Sequence, residues 1–137
     1  MVCLMPETRV VFYQDKAGDA VVLDWLKQLL KSDRKGYANC IVRIQQLAAV
    51  GHELRRPSAD YLQDGIYELR AKHVRVQYRI LYFFHGQDVA ILAHAIVKDT
   101  SQVPGGDIER AIDRKHLFES DPAKYTYSAE VENNDDE

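Results

Sequence analysis

Ile66-Tyr67-Glu68-Leu69-Arg70-Ala71-Lys72-His73-Val74-Arg75-Val76-Gln77-Tyr78-Arg79-Ile80-Leu81-Tyr82-Phe83-Phe84, continued by Val89 to Lys98, is the stretch that decides the fold. It divides into three apolar runs, Ile66–Ala71, Val74–Phe84 and Val89–Val97, with only Lys72-His73 and His85-Gly86-Gln87-Asp88 between them. β-Branched and aromatic residues suit a pleated surface, and links this short leave room only for hairpin turns. The pattern predicts an antiparallel meander of three strands. Side chains alternate across a strand, so Val74, Val76, Tyr78, Ile80 and Tyr82 fall on one face and Arg75, Gln77 and Arg79 on the other. That second face is expected to lie open.

The same parity groups Ile66, Glu68 and Arg70 in the first strand, and Leu92, His94, Ile96 and Lys98 in the third. Where the polar faces coincide, Glu68, Arg70, Arg79, His94 and Lys98 gather on one side of the sheet. A carboxylate among cations, with an imidazole nearby, is an arrangement that moves a proton beside a phosphate. Glu68 is the first candidate for the base and His94 the second. Each has a plainer reading: Glu68 and Arg70 as an ion pair on a solvated face, His94 as a satisfied core histidine between Ala93 and Ala95. Lys72, His73 and Arg75, at the first hairpin, read either as rim contacts to RNA or as ordinary turn charges.

The remainder of the chain bounds this picture. Its 137 residues fit one domain with a core of its own. Cys3 and Cys40 have neither metal-ligand spacing nor the number of a disulfide framework, so no metal and no cofactor is expected. Met1–Pro6 is too short and uncharged for a signal peptide, and no apolar run approaches membrane-spanning length. A soluble, cytoplasmic protein is the expectation. The net charge of −3 conceals an asymmetry: residues 119–137 hold seven acids against Lys124 alone, whereas residues 1–118 hold seventeen bases and fourteen acids. The charge step divides the chain into a mildly basic body, 1–118, and an acidic flexible tail, 119–137.

In chain order, Arg9–Tyr13 reads as a first strand. A helix over Ala20–Lys31, capped by Asp15 or Asp19, carries Val22, Leu26, Leu29 and Leu30 as its apolar stripe. Ser32-Asp33 recaps a second helix over Arg34–Val50, which Gly51 ends. Residues 51–65 form a polar link closed by the Asp64-Gly65 turn, and a third helix starts near Asp107. The result is an α+β fold, β-α-α-β-β-β-α, with helices packed on one face of a small sheet.

This order, with Gly65-Ile66-Tyr67-Glu68-Leu69-Arg70, Tyr78-Arg79-Ile80-Leu81-Tyr82, Ala93-His94-Ala95-Ile96-Val97-Lys98, Val103-Pro104 and Ile108-Glu109-Arg110-Ala111, resembles a known family. Residues 9–118 are similar to the phage-derived Gp49-like, HigB-type toxins of the RelE/ParE superfamily. The resemblance implies a RelE-like fold and the toxin of a type II toxin-antitoxin system. Such a toxin is an mRNA interferase, an endoribonuclease acting on messages in translating ribosomes. It also implies a HigA-like helix-turn-helix antitoxin as partner, which would bring the pair to operator DNA, and no membrane partner. Carried onto this chain, the family's elements fall on Glu68, Arg70, Arg79 and Lys98. Asp99 follows Lys98 where the family often shows a second lysine, and Ile66 and Glu68 stand where other superfamily members carry lysines. The expected chemistry is metal-free attack of a ribose 2′-OH on the adjacent phosphate. The competing expectation is a ParE-like, non-enzymatic toxin that traps gyrase, for which a clustered proton acceptor has no use.

Overall fold

The computed structural model of the protein describes residues 7–98 and 103–128. Its elements are β1 (Arg9–Phe12), α1 (Val21–Ser32), α2 (Arg34–Val50), β2 (Ala59–Gln63), β3 (Ile66–His73), β4 (Val76–His85), β5 (Val89–Lys98), α3 (Gly105–Ser120) and α4 (Pro122–Tyr125). The strands form one sheet in the order β1-β5-β4-β3-β2, antiparallel except for the β1–β5 pair. The α+β class and the central meander are as the sequence predicts.

The first hairpin turns at Val74-Arg75 rather than at Lys72-His73, because Lys72 pairs with Gln77 and His73 with Val76. This register keeps Leu69 opposite Ile80 and Ala71 opposite Tyr78, so four buried side chains share the core face. Val74 consequently takes a left-handed φ of 58°. Ala59–Gln63, expected to be part of a polar link, is the edge strand β2. It is joined to β3 by Asp64 and Gly65, both at positive φ (52° and 82°), the conformation a two-residue hairpin turn demands.

Helices cover both faces, which corrects the expectation of helices on one face. Val22, Leu26 and Leu29 of α1, with Cys40 and Leu47 of α2, pack on Leu69, Tyr78, Ile80, Tyr82 and Leu92. Ala111 and Phe118 of α3, with Tyr125 of α4, pack on Ile66, Leu81, Phe83, Ile91 and Ala93. The physical reason lies in β4: Ile80-Leu81-Tyr82-Phe83 is apolar at both parities and needs a layer on each side. Burying each such side chain contributes roughly 1.5–3 kcal/mol.

A β-bulge alters the predicted parity of β5. Leu81 pairs with His94 but Tyr82 pairs with Leu92, leaving Ala93 as the extra residue. Leu92 therefore buries under α1 and α2, while His94, Ile96 and Lys98 stay opposite Leu81, Arg79 and Gln77 on the α3 side.

The helix caps follow the local chemistry. Asp33 caps α2 by accepting from the Gly36 amide at 2.9 Å. Asp15 does not cap α1; its carboxylate accepts from the Ala17 and Asp19 amides and shapes the preceding loop. Cys40 is fully buried, and burial pushes its thiol up to about 12, as an inert core cysteine requires. The charge step at residue 118 falls inside α3, and packing continues to Tyr125, whose ring stacks on Tyr13 at 5.8 Å. Cys3, Asp99 and residues 129–137 lie outside the described residues.

Candidate active site

Register places the polar side chains in rows across the α3 side of the sheet. Glu68 is opposite Leu81, which is opposite His94; Arg70 is opposite Arg79, which is opposite Ile96; Lys72 is opposite Gln77, which is opposite Lys98. Arg70 and Arg79, directly paired, thus point to one face. Among the described residues α3 packs on Leu81 and Phe83, and Ile96, the apolar member of the Arg79 row, does not join that cluster, although Arg79 and Lys98 are themselves buried.

Glu68 is the centre of this region and is only 3% exposed. Arg70 Nη1 donates to its Oε2 at 2.9 Å, and Arg79 Nε lies 3.2 Å from its Oε1. The second approach is an ion pair without hydrogen-bond alignment, so Oε1 and Nε each keep an unfilled bonding direction. Arg79 is anchored from behind: Nη1 donates to the Tyr78 carbonyl at 3.0 Å and Nη2 to Gln77 Oε1 at 2.7 Å. Burial, then the neighbouring Arg70, pulls the Arg79 guanidinium below its usual value, and the Glu68 carboxylate opposes them.

Lys98, buried at 6% exposure, makes no ion pair or hydrogen bond among the described residues. Its ammonium is held below the ordinary lysine value chiefly by burial and next by Arg79. Glu68, Arg70 and Lys98, with Arg56 and Asp60, line a cavity of about 240 Å³ to which α3 contributes Ile108. Arg56 and Asp60 neutralise one another at 2.7 Å. One carboxylate therefore faces three cations in a largely dry setting, and unpaired buried charge of that kind attracts an anion.

A second, larger cavity of about 480 Å³ meets the first at Arg70 and extends past Arg79, Lys72 and Gln77 to Asn39 and Arg43 of α2. Its origin is the shortness of β2. The β2 ladder ends at Leu69, and beyond it α2 supplies the missing donors: Arg43 Nε to the Arg70 carbonyl and Asn39 Nδ2 to the Lys72 carbonyl, both at 2.8 Å. Among the described residues no acidic side chain lines this cleft.

His94 is not brought to the cluster. The fully buried Leu81 stands between it and Glu68 in the same row. Its Nε2 meets Asp107 at 2.7 Å, and Arg114 Nη1 lies 3.2 Å from its Nδ1 while donating to the Ala93 carbonyl at 2.7 Å. A guanidinium only donates, so Nδ1 accepts and the proton resides on Nε2. Burial holds His94 below its ordinary value, with the Asp107 hydrogen bond opposing. It is the satisfied histidine that anchors α3. His73 is also engaged, its Nδ1 at 2.9 Å from Asp33, which accepts from Tyr78 Oη at 2.6 Å. Arg75 stays exposed in the hairpin turn, and Lys72 is exposed beside the cleft.

A family model described as phage derived protein Gp49-like (DUF891) matches residues 24–116, about two thirds of the chain and all of Glu68, Arg70, Arg79 and Lys98. The chain belongs to the Gp49-like family. A search of curated proteins gives no match. Sequence reading of this Gp49-like protein passed over Asn39, Arg43, Arg56 and Gln77. Only Gln77 carried a signal, as the polar residue sharing the Arg79 parity; the α2 residues are brought in by tertiary packing.

Proposed function

We propose that this Gp49-like chain is the toxin of a type II toxin-antitoxin system and acts as an mRNA endoribonuclease. The Gp49-like family is associated with toxins of such systems. The observation that carries the reading is the nearly buried Glu68 carboxylate held between Arg70 and Arg79, with Lys98 in the same cavity. A carboxylate set among three cations is suited to remove a ribose 2′-OH proton while compensating charge on the phosphate.

In the step proposed, an RNA phosphate competes with Glu68 for Arg70, which frees Oε2 to take the 2′-OH proton. The 2′ oxygen bonds to phosphorus, the bond from phosphorus to the 5′ oxygen breaks, and the products are a 2′,3′-cyclic phosphate and a 5′-OH. Lys98, whose ammonium is made more acidic by burial and by Arg79, supplies the leaving oxygen with its proton. Arg70 and Arg79 stabilise the charge of the transition state. The need for a 2′-OH excludes DNA as a substrate for cleavage. Proposed partners are translating ribosomes and a helix-turn-helix antitoxin.

A reconstituted translation reaction tests this. Message cleavage that persists in EDTA and falls about hundredfold or more in Arg79→Ala is the expected result. Intact message together with inhibited gyrase supercoiling would overturn the nuclease reading in favour of a ParE-like binder.

A further inference from the structure

The 480 Å³ cleft is larger than the reaction at Glu68 requires, and its lining differs in kind from the smaller cavity. Arg43, Arg70, Lys72 and Arg79 give it positive charge, with no carboxylate lining it among the described residues. The Lys72 side chain makes no contact with an acid among the described residues, and Arg43 uses Nε and Nη1 within the protein. Two amides complete the wall, and their neighbours fix which way each points. Asn39 must place its NH₂ on the Lys72 carbonyl, which only accepts, so its Oδ1 remains an acceptor. Gln77 must place Oε1 on Arg79 Nη2, which only donates, so its Nε2 remains a donor.

We infer that this cleft is a nucleotide subsite beside the reacting cluster: Lys72 and Arg43 hold a flanking RNA phosphate, and the Gln77 and Asn39 amides read the attached base. The volume falls within the range of small-ligand pockets. Arg70, common to both cavities, bridges the two phosphates. A fixed donor and acceptor discriminate bases because adenine and cytosine present an amino donor where guanine and uracil present a keto acceptor on the pairing edge. The inference rests on RNA being the ligand of the Glu68 site, and it adds where the neighbouring nucleotide lies and what selects it.

The probes are fluorescein-labelled 2′-O-methyl RNA homohexamers of A, C, G and U, which bind but cannot be cut, titrated into the full chain by anisotropy at several salt concentrations. Lys72→Ala is expected to weaken binding of all four about fivefold and to lower the salt slope by about 0.7, the loss of one phosphate contact on a single strand. Lys72→Arg is expected to restore both. Gln77→Glu keeps an acceptor for Arg79 and replaces the free donor by an acceptor, so beside the Asn39 acceptor each base class finds one match and one clash, and the difference between amino-bearing and keto-bearing hexamers should disappear, whatever uniform loss its charge brings. Thermal melting of each variant checks that the fold is retained. An unchanged salt slope in Lys72→Ala, equal wild-type affinity for all four hexamers, or no binding at low salt each overturns the subsite. Hexamer binding that depends on Lys72, in a protein that cuts no message, sinks the nuclease reading and leaves the subsite standing.

Discussion

Two halves of one sheet face share strands, backbone and alternation, yet one buries apolar side chains and the other buries charge. At one end Leu81, Phe83, Ile91 and Ala93, all fully buried, are sealed beneath α3. One or two residue pairs along the same strands, Glu68, Arg70, Gln77, Arg79 and Lys98 surround two cavities. The difference teaches that the site is made by where apolar cover stops: the β2–β3 pairing ends at Leu69 on one flank, and beyond the cluster under α3 the buried side chains are charged. The apolar half supplies stability and rigid strands, and the charged half spends part of that stability on buried charges held close together.

The largest effect tests the apolar half. Phe83→Ala removes a ring packed edge-on against Phe118 at 5.6 Å and is expected to cost about 3–5 kcal/mol in urea unfolding. A cost below about 1 kcal/mol would mean that α3 is not seated there. Next comes the charged half: Glu68→Gln keeps the shape and removes the proton acceptor, so cleavage should fall roughly a hundredfold to a thousandfold with the fold intact by circular dichroism. Cleavage within threefold of the wild type would remove Glu68 from the reaction.

The boundary between the halves is pH-sensitive through His94. Burial depresses its affinity for protons, so below its ordinary value of 6.5 the unfolded chain takes up the proton more readily than the folded one. Its contribution to stability is therefore complete above pH 6.5 and drains away as pH falls below it. Urea midpoints measured between pH 7.5 and 5 should decline, and less steeply in His94→Leu. The smallest effect concerns the hairpin turn. Val74, a β-branched residue at φ 58° and 74% exposed, sits where asparagine is easier to accommodate. Val74→Asn should raise stability by about 0.5–1 kcal/mol, read from the melting temperature.

Much of this was legible in the sequence, for identifiable reasons. The period-two alternation of β3 and β4 put Arg70 and Arg79 on one face with Glu68, and nothing in the structure disturbs that parity. Helices α1 and α2 were readable from their stripes and from Asp33 and Gly51. The bulge at Ala93 was not, because an extra residue in an apolar strand leaves no mark on composition. It matters less than expected, since Lys98 reaches the cluster while His94 is separated from Glu68 by Leu81 and tied to α3. Strand β2 was hidden by polar residues, Asp60 and Gln63, that a solvated edge tolerates. The contribution of Asn39 and Arg43 was out of reach because it arises only when α2 lies along the unpaired end of β3.

The most direct test is Arg70→Ala, because Arg70 touches both cavities and Glu68 while its side chain remains 28% exposed. Message cleavage and urea stability are measured on the same preparations. The expected result is cleavage lowered about hundredfold or more while stability falls by no more than about 1 kcal/mol, since Arg70 itself is partly exposed and Arg79 and Lys98 still face the buried Glu68 carboxylate. Undiminished cleavage in Arg70→Ala would contradict the claim that the charged half of the sheet face is the reacting surface.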